Sequence, residues 1–535
     1  MSSPLPTSDT PRPTDAPLLF TQLSADLILR TADLVDFRVH SPILAQASPF
    51  FASMLTLPQP SAAAASSSAH DTGAGPADSE TPIVPVSEDS TTLELLLRLA
   101  YPIPKPYALM AEPAQMVPAL LAAAKYEMAL PLETMSERLV ALMPGSPLAV
   151  WAAACRADLK NVARQAAEAL KTSWTNTGVE ALSFMDGLGD MIGISAGDYH
   201  RLKHFLVAGG PYMEEIPVTP IPVGFGAKFS ALPAWGQFPP LSPPSPSWYS
   251  TSLPPTDLIC RPSSRRGPPA PYQAHQVVLC LQSPVLKARL AERRGVSSGN
   301  DMLNGSPGPS AEPLVVLDFD EETEVVFSLL KACYGDEEPV PTDLSKLAAL
   351  LVACQKYEMV AIARRVREAW DRAAAHRPLE AYFVAINHGL HEYAEAAAKT
   401  VLRGPVPRAF TNVMDSAPAL AYHRLLVYYD ACRQNLKERL RIICDRIPEQ
   451  VYYATRSSAY RQSTTTTALK QAVTDVTSAP GIPLKAECRK KITDIMLKQL
   501  DSTGFGDFLV PLIECMTSTD GIIDSAINDV QLQFA

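Results

Sequence analysis

The sequence predicts an α+β fold, mostly helical, that is built twice within one chain of 535 residues. Three observations carry this. A segment reading strand, strand, helix occurs at Ala25–Leu55 and again at Thr256–Leu290. Further on, LLAAAKYEM (120–128) matches LVACQKYEM (351–359) at an offset of 231 residues, and the register runs on without a gap. Between the copies the composition changes to proline, with twelve prolines from Pro211 to Pro255. A chain this long exceeds one hydrophobic core and divides into three or four folding units.

In each copy an aspartate, Asp26 or Asp257, opens a short apolar strand. The next strand closes on an aromatic residue followed three positions later by the histidine (Phe37-x-x-His40, Tyr272-x-x-His275). Ser41-Pro42 then supplies a helix cap and a proline in the first turn. Ile43, Leu44, Ala47, Phe50, Phe51 and Met54 recur at helical spacing, which predicts one helix over 41–55 with a buried face. Ser48-Pro49 and Ser283-Pro284 lie at the same offset from their histidines. A polar stretch, Pro58–Glu80, follows as a floppy insertion. Order resumes with a strand at 82–86 and a helix capped by Ser90 or Thr91 that ends at Tyr101-Pro102. The second copy repeats this with an insertion at Glu292–Pro313, a strand at Leu314–Leu317 and a helix ending at Cys333-Tyr334-Gly335.

The alanine-rich part that follows is helical in both copies: Leu148, Trp151, Leu159 and Ala166 stand opposite Leu379, Tyr382, Leu390 and Ala397. YHRL at 199–202 then answers YHRL at 422–425, with the offset reduced to 223. Self-similarity of this length is a tandem duplication rather than a solenoid. The expected divisions are a disordered N-terminus (1–20), a first α/β domain (21–142), its helical extension (143–208), a proline-rich linker (209–255), a second α/β domain (256–372), its extension (373–433) and a C-terminal helical region (434–535) that packs on the second repeat.

The order Asp, apolar strand, aromatic-x-x-His, Leu, Ser-x-Phe resembles the BTB/POZ domain, and it is seen here twice, with Val285 in place of the final Phe in the second copy. The resemblance implies two units of a small sheet flanked by helices, each with a helical extension. Such domains are protein-interaction modules, commonly dimeric, and many recruit a cullin-type ubiquitin ligase scaffold. In that family the strand aspartate often faces a basic residue directly after the histidine. Ser41 and Gln276 stand there in this chain. The tandem arrangement with long polar insertions is similar to BTB-domain proteins abundant in fungi.

Composition restricts the partners. A net charge of −10 and a pI near 5.5 argue against a nucleic-acid or anionic-membrane surface. Nine scattered cysteines without a C-x-x-C pair suit a reducing compartment, and no secretory leader or membrane span is visible, so an intracellular location, cytoplasmic or nuclear, is expected. Gly193-Ile-Ser195-Ala-Gly197 matches a G-x-S-x-G nucleophile elbow, yet no strand precedes it, and a serine hydrolase using Ser195 is the remote alternative. The pairs His200/His204 and His388/His391 lack further metal ligands. Gly187-x-Gly189 and Gly504-x-Gly506 lack the third glycine of a phosphate loop. The acidic run at 318–322 suits a helix N-terminus better than a calcium loop. Pro239–Pro246 reads as a polyproline segment for an SH3- or WW-type partner.

The expected function is a non-enzymatic protein-interaction scaffold without cofactor or metal, with adaptor for a cullin-type ligase as the alternative. The residues expected at the interaction surfaces are Asp26, His40, Ile43 and Phe51 in the first repeat and Asp257, His275, Val278 and Leu286 in the second. A flexible linker of this length spans roughly 35–40 Å, so the two repeats are expected to pair with each other within one chain.

Overall fold

An apolar run starting at Leu27 turns back on itself through Leu34, held at φ 61°, and so forms the first hairpin. The structure is a computed structural model. It describes residues 12–57, 81–174, 191–208, 256–263, 271–300, 315–335, 343–404, 406–455 and 521–533, with single residues at 471, 490 and 494. The two glycine pairs at 187–189 and 504–506, and the Pro239–Pro246 segment, lie outside the described residues. The chain divides into two compact units, 1–227 and 228–535, at a boundary within the expected linker.

In the first unit β1 (Thr14–Asp15), β2 (Leu27–Arg30), β3 (Val35–Val39) and β4 (Ile83–Pro85) form a four-stranded sheet in the order β1-β3-β2-β4. Strand β2 runs antiparallel to β3 and parallel to β4. Leu27, Leu29, Phe37 and Val39 are buried, as the period-two pattern requires. Beside the hairpin's turn Arg30 grips Asp36 through two bonds of 2.7 and 2.8 Å. Disorder expected through residue 20 gives way to order at β1. Thr14 and Asp15 pair with Val35 and Asp36, and Phe20 is buried against the rings of Phe37 and Tyr101, 5.7 and 5.6 Å away. One buried aromatic residue supplies the anchor that the surrounding prolines lack.

The single helix expected over 41–55 is two helices, α1 (Ser41–Ala47) and α2 (Pro49–Leu55). Ser48 between them is extended at φ −148° and ψ 113°. A residue before proline is pushed out of the helical region, and the same Ser-Pro step separates α9 (Gln276–Gln282) from α10 (Pro284–Asn300) in the second unit. Helix α3 (Ser90–Ala100) is capped by Asp89, whose side chain accepts the Thr92 N–H, rather than by Ser90 or Thr91. Then come α4 (Pro113–Lys125), α5 (Ala129–Leu142), α6 (Pro147–Arg156), α7 (Lys160–Trp174) and α8 (Ala196–Ala208).

The second unit has a three-stranded sheet of β5 (Leu258–Ser263), β6 (Tyr272–Ala274) and β7 (Val315–Glu322) in the order β6-β5-β7. Helix α10 reaches Asn300, so the insertion expected from Glu292 begins later. Arg293 secures that extra length by bonding the Val316 carbonyl and pairing with Asp318 at 3.0 Å. The acidic run at 318–322 belongs to β7, not to a helix start: Leu317 and Phe319 point inward while Asp318 and Asp320 alternate outward. Helix α11 (Thr323–Cys333) follows, then α12 (Leu344–Lys356), α13 (Val360–His376), α14 (Pro378–Asn387), α15 (His391–Val401) and α16 (Ala419–Thr455). Helix α16 runs unbroken through the boundary expected at residue 434. A helix over 521–528 packs on it, with Ile523 and Ala526 buried and Arg439 bonded to Ser525 and Asp529.

The protein is therefore α+β and mostly helical. The duplication is visible element by element: the first residues of α4 and α12, α5 and α13, α6 and α14, and α7 and α15 are each 231 residues apart. Trp151 and Tyr382 fill equivalent core positions and are fully buried. Both repeats place a glutamate, Glu127 and Glu358, at φ 53° just past the helix end, where Met128 and Met359 return N–H bonds to Ala123 and Cys354. This is the left-handed position that favours glycine. Glu127 is exposed, so Glu127→Gly is expected to stabilise the first repeat by about 0.5–1 kcal/mol, read from the midpoint of urea unfolding.

Candidate interaction sites

Each repeat carries the same four polar clamps at the corner where strand passes to helix. Ser41 opens α1 without a side-chain cap of its own chain neighbours. Asp26, at the head of β2, supplies it from across the corner, accepting the Ser41 N–H at 2.7 Å and the Ser41 hydroxyl at 2.5 Å. In the second repeat Asp257 accepts the Gln276 N–H at 2.7 Å, and the Gln276 amide donates to the Asp257 carbonyl at 3.0 Å. In both copies the residue directly after the histidine thus holds the carboxylate through its backbone N–H, and in the first copy through its hydroxyl as well. The Ser41 hydroxyl, and then its N–H, keep the Asp26 carboxyl below the usual carboxylate range.

The histidines are held through their backbones. The His40 N–H donates to the Tyr101 hydroxyl and the His275 N–H to the Tyr334 hydroxyl, each at 2.8 Å. Each imidazole Nδ1 also faces that hydroxyl, at 3.4 and 2.7 Å. The serine at the helix break forms the third clamp. Ser48 donates to the Tyr126 carbonyl at 2.5 Å and accepts the Phe51 N–H at 3.1 Å, and Ser283 does the same with Tyr357 and Leu286 at 2.6 and 3.0 Å. In the fourth, Lys125 and Tyr126 converge on Glu88, as Lys356 and Tyr357 converge on Glu321. Burial alone would raise the Glu88 pKa, but the bonds from Lys125 and Tyr126 together outweigh it and lower it.

Of the residues expected at interaction surfaces, Asp26 and Asp257 are exposed at the corner, His40 is half-buried and His275 is buried. Ile43 and Val278 are half-exposed. Phe51 and Leu286 are core residues in equivalent positions, and the Phe51 ring stacks on Tyr126 at 4.9 Å. The sequence places Tyr101 and Tyr334 only at helix ends and Glu321 only in an acidic run, and gives Glu88 no role. Their recurrence at matching places in both copies was the available signal.

Ser195 is fully buried. Its hydroxyl accepts the Asp198 N–H at 2.9 Å and donates to the Asp198 carboxylate at 2.7 Å, while Arg201 pairs with the same carboxylate at 3.0 Å. A nucleophile elbow exposes its serine; this hydroxyl caps α8. His200 and His204 stack with ring centres 6.2 Å apart, and burial pushes the pKa of His200 down to about 4. The Nε2 of His388 lies 3.4 Å from the Ser345 carbonyl. Burial pushes the thiols of Cys260, Cys333 and Cys354 up to about 12. Among the described residues no three His, Cys, Asp or Glu side chains are arranged to hold a metal ion, and no helix is long and apolar enough to cross a membrane.

Comparison with protein-family models, with curated proteins and with solved structures finds no match to this chain.

Two measurements test these assignments. Asp26→Ala is expected to cost about 1 kcal/mol, the usual worth of a helix cap. Because the folded-state pKa of Asp26 is lowered, its contribution is present above the ordinary aspartate value and is lost as pH falls through the folded value. The gap between wild type and Asp26→Ala should therefore close on acidification; a constant gap would rule out the carboxylate as its source. Ser195→Ala is expected to lower unfolding stability by about 1 kcal/mol through loss of the α8 cap.

Proposed function

We propose that the chain is a non-enzymatic protein-interaction scaffold made of two BTB/POZ-like repeats, each followed by a helical extension, and that its principal docking surface lies on the second repeat. The observation that carries this reading is a difference between copies. Val277, Leu281 and Val360 are 60%, 79% and 72% exposed. The equivalent positions of the first repeat, counted from the starts of α1 and α5, hold Pro42, Gln46 and Ala129. Val277 and Leu281 stand one helical turn apart on α9 and so share a face. Aliphatic side chains gained by one copy of a shared frame, at positions its fold does not bury, suit contact with another protein.

What further supports the reading is the use made of the recurring polar residues. The duplicated Asp, His, Ser, Lys, Tyr and Glu side chains are engaged in holding strands to helices. The test is affinity purification of the full-length chain, crosslinked in its own cells, beside the Val277→Asp/Leu281→Asp double variant. The wild type is expected to retain at least one protein in stoichiometric amount, and the variant to lose it while unfolding at the same temperature. A cullin among the lost partners would mark the narrower adaptor role. Equal recovery on both baits would overturn the assignment to this surface.

A further inference from the structure

A cleft of about 580 Å³ opens in the second helical extension between the start of α14 and the end of α15. This size falls within the range of small-molecule sites. Its apolar wall comes from half-exposed Leu379 and Phe410, backed by buried Val401 and Val406, and its charged groups are Arg377, Arg403 and Glu380. Arg377 pairs with Glu380 at 3.0 Å. Arg403 is exposed and forms no ion pair among the described residues. Two arginines against one glutamate leave a single net positive charge beside an apolar wall.

The turn that carries Arg403 is braced. Its own N–H bonds the Thr400 carbonyl at 3.2 Å, Gly404 bonds Val401 at 2.9 Å, and Val406 bonds Gly404 at 2.9 Å. Facing it, α14 starts at Pro378 with Arg377 as a cap that makes no side-chain cap bond. The charges are also particular to this copy. At an offset of 231 residues the first repeat has Ser146, Ala149 and Thr172 in place of Arg377, Glu380 and Arg403. Helix starts in this part of the repeats keep that offset, so the arginines are additions to a frame that does not need them to fold.

We propose that this cleft binds a carboxylate carried on an apolar or aromatic body. A guanidinium matches a carboxylate in a two-pronged, planar fashion, and the half-exposed side chains of Leu379 and Phe410 take the apolar part out of water. One net positive charge suits a monoanion. A phosphate dianion would meet the Glu380 carboxylate with two charges of the same sign. The carboxylate belongs either to a free organic acid or to the C-terminus of a polypeptide.

Ligand-observed NMR on the full-length chain at low salt separates these. The probes are 3-phenylpropanoate, its primary amide, and acetyl-Gly-Phe with a free or an amidated C-terminus. The acid is expected to bind at least about tenfold more tightly than its amide, as when a charged hydrogen-bonding partner is removed. Arg403→Gln is expected to weaken the acid at least about fivefold while leaving amide binding and the unfolding temperature unchanged. Tighter binding of free acetyl-Gly-Phe than of 3-phenylpropanoate identifies a polypeptide end; weaker binding identifies a free acid. Equal affinity for acid and amide, absence of acid binding, or an Arg403→Gln chain that binds the acid as well as the wild type would each overturn the proposal.

Discussion

The aspartate that opens the central strand of each repeat holds the rest of the corner in place. Helix α1 begins directly after β3, and its first N–H groups have no partner within the helix. Asp26 reaches across the hairpin to accept the first of them, that of Ser41, and Asp257 does the same for Gln276 of α9. One carboxylate thereby sets the direction in which the helix leaves the sheet. The tyrosine hydroxyl at the end of α3 or α11 fastens the adjoining histidine N–H, so the third helix is tied to the same point. Further out, the serine at the helix break ties α2 and α10 to the carbonyl of Tyr126 or Tyr357. Sheet, helix pair and the following helical layer are thus linked through hydrogen bonds that recur in both halves of the chain.

A frame built this way leaves its outer surface free to diverge. The clamps sit at equivalent positions, and their backbone N–H bonds are nearly equal in length in the two copies, while the side chains between them differ. Gln46 faces solvent in one copy where Leu281 does in the other, and the cleft arginines occur only in the second. Loss of a clamp exposes an unsatisfied backbone donor, whereas an exposed side chain changes stability little. The proposed docking surface on α9 and α13 and the proposed binding cleft between α14 and α15 fall among these diverged side chains.

Much of the fold was legible in the order of residues. The repeated LLAAAKYEM and LVACQKYEM segments announced α4 and α12, because apolar spacing and a constant offset are properties of the sequence itself. The recurrence of Ser-Pro marked a special position, yet the apolar spacing of Ile43, Leu44, Phe50 and Phe51 concealed the break there. The break divides that face: Leu44 and Phe51 are buried, whereas Phe50 is exposed. Phe20 shows the opposite case: its proline-rich surroundings read as disorder, and a single buried ring overrides them. The acidic run in β7 was misplaced because outward-facing carboxylates on a strand and first-turn carboxylates on a helix look alike in composition.

The sequence by itself determined that the chain is α+β, that it is duplicated, and which helices answer one another, since each of these follows from local periodicity or from self-similarity. Tertiary structure alone decided the partners. Asp26 meets Ser41 across 15 residues, His40 meets Tyr101 across 61, and Ser48 meets Tyr126 across 78. No local pattern encodes pairings at such separations, because each depends on how the sheet and helices fold back on one another. Equally, Arg377 and Arg403 belong to different helix ends, and only the packing of α14 beside α15 brings both to one cleft.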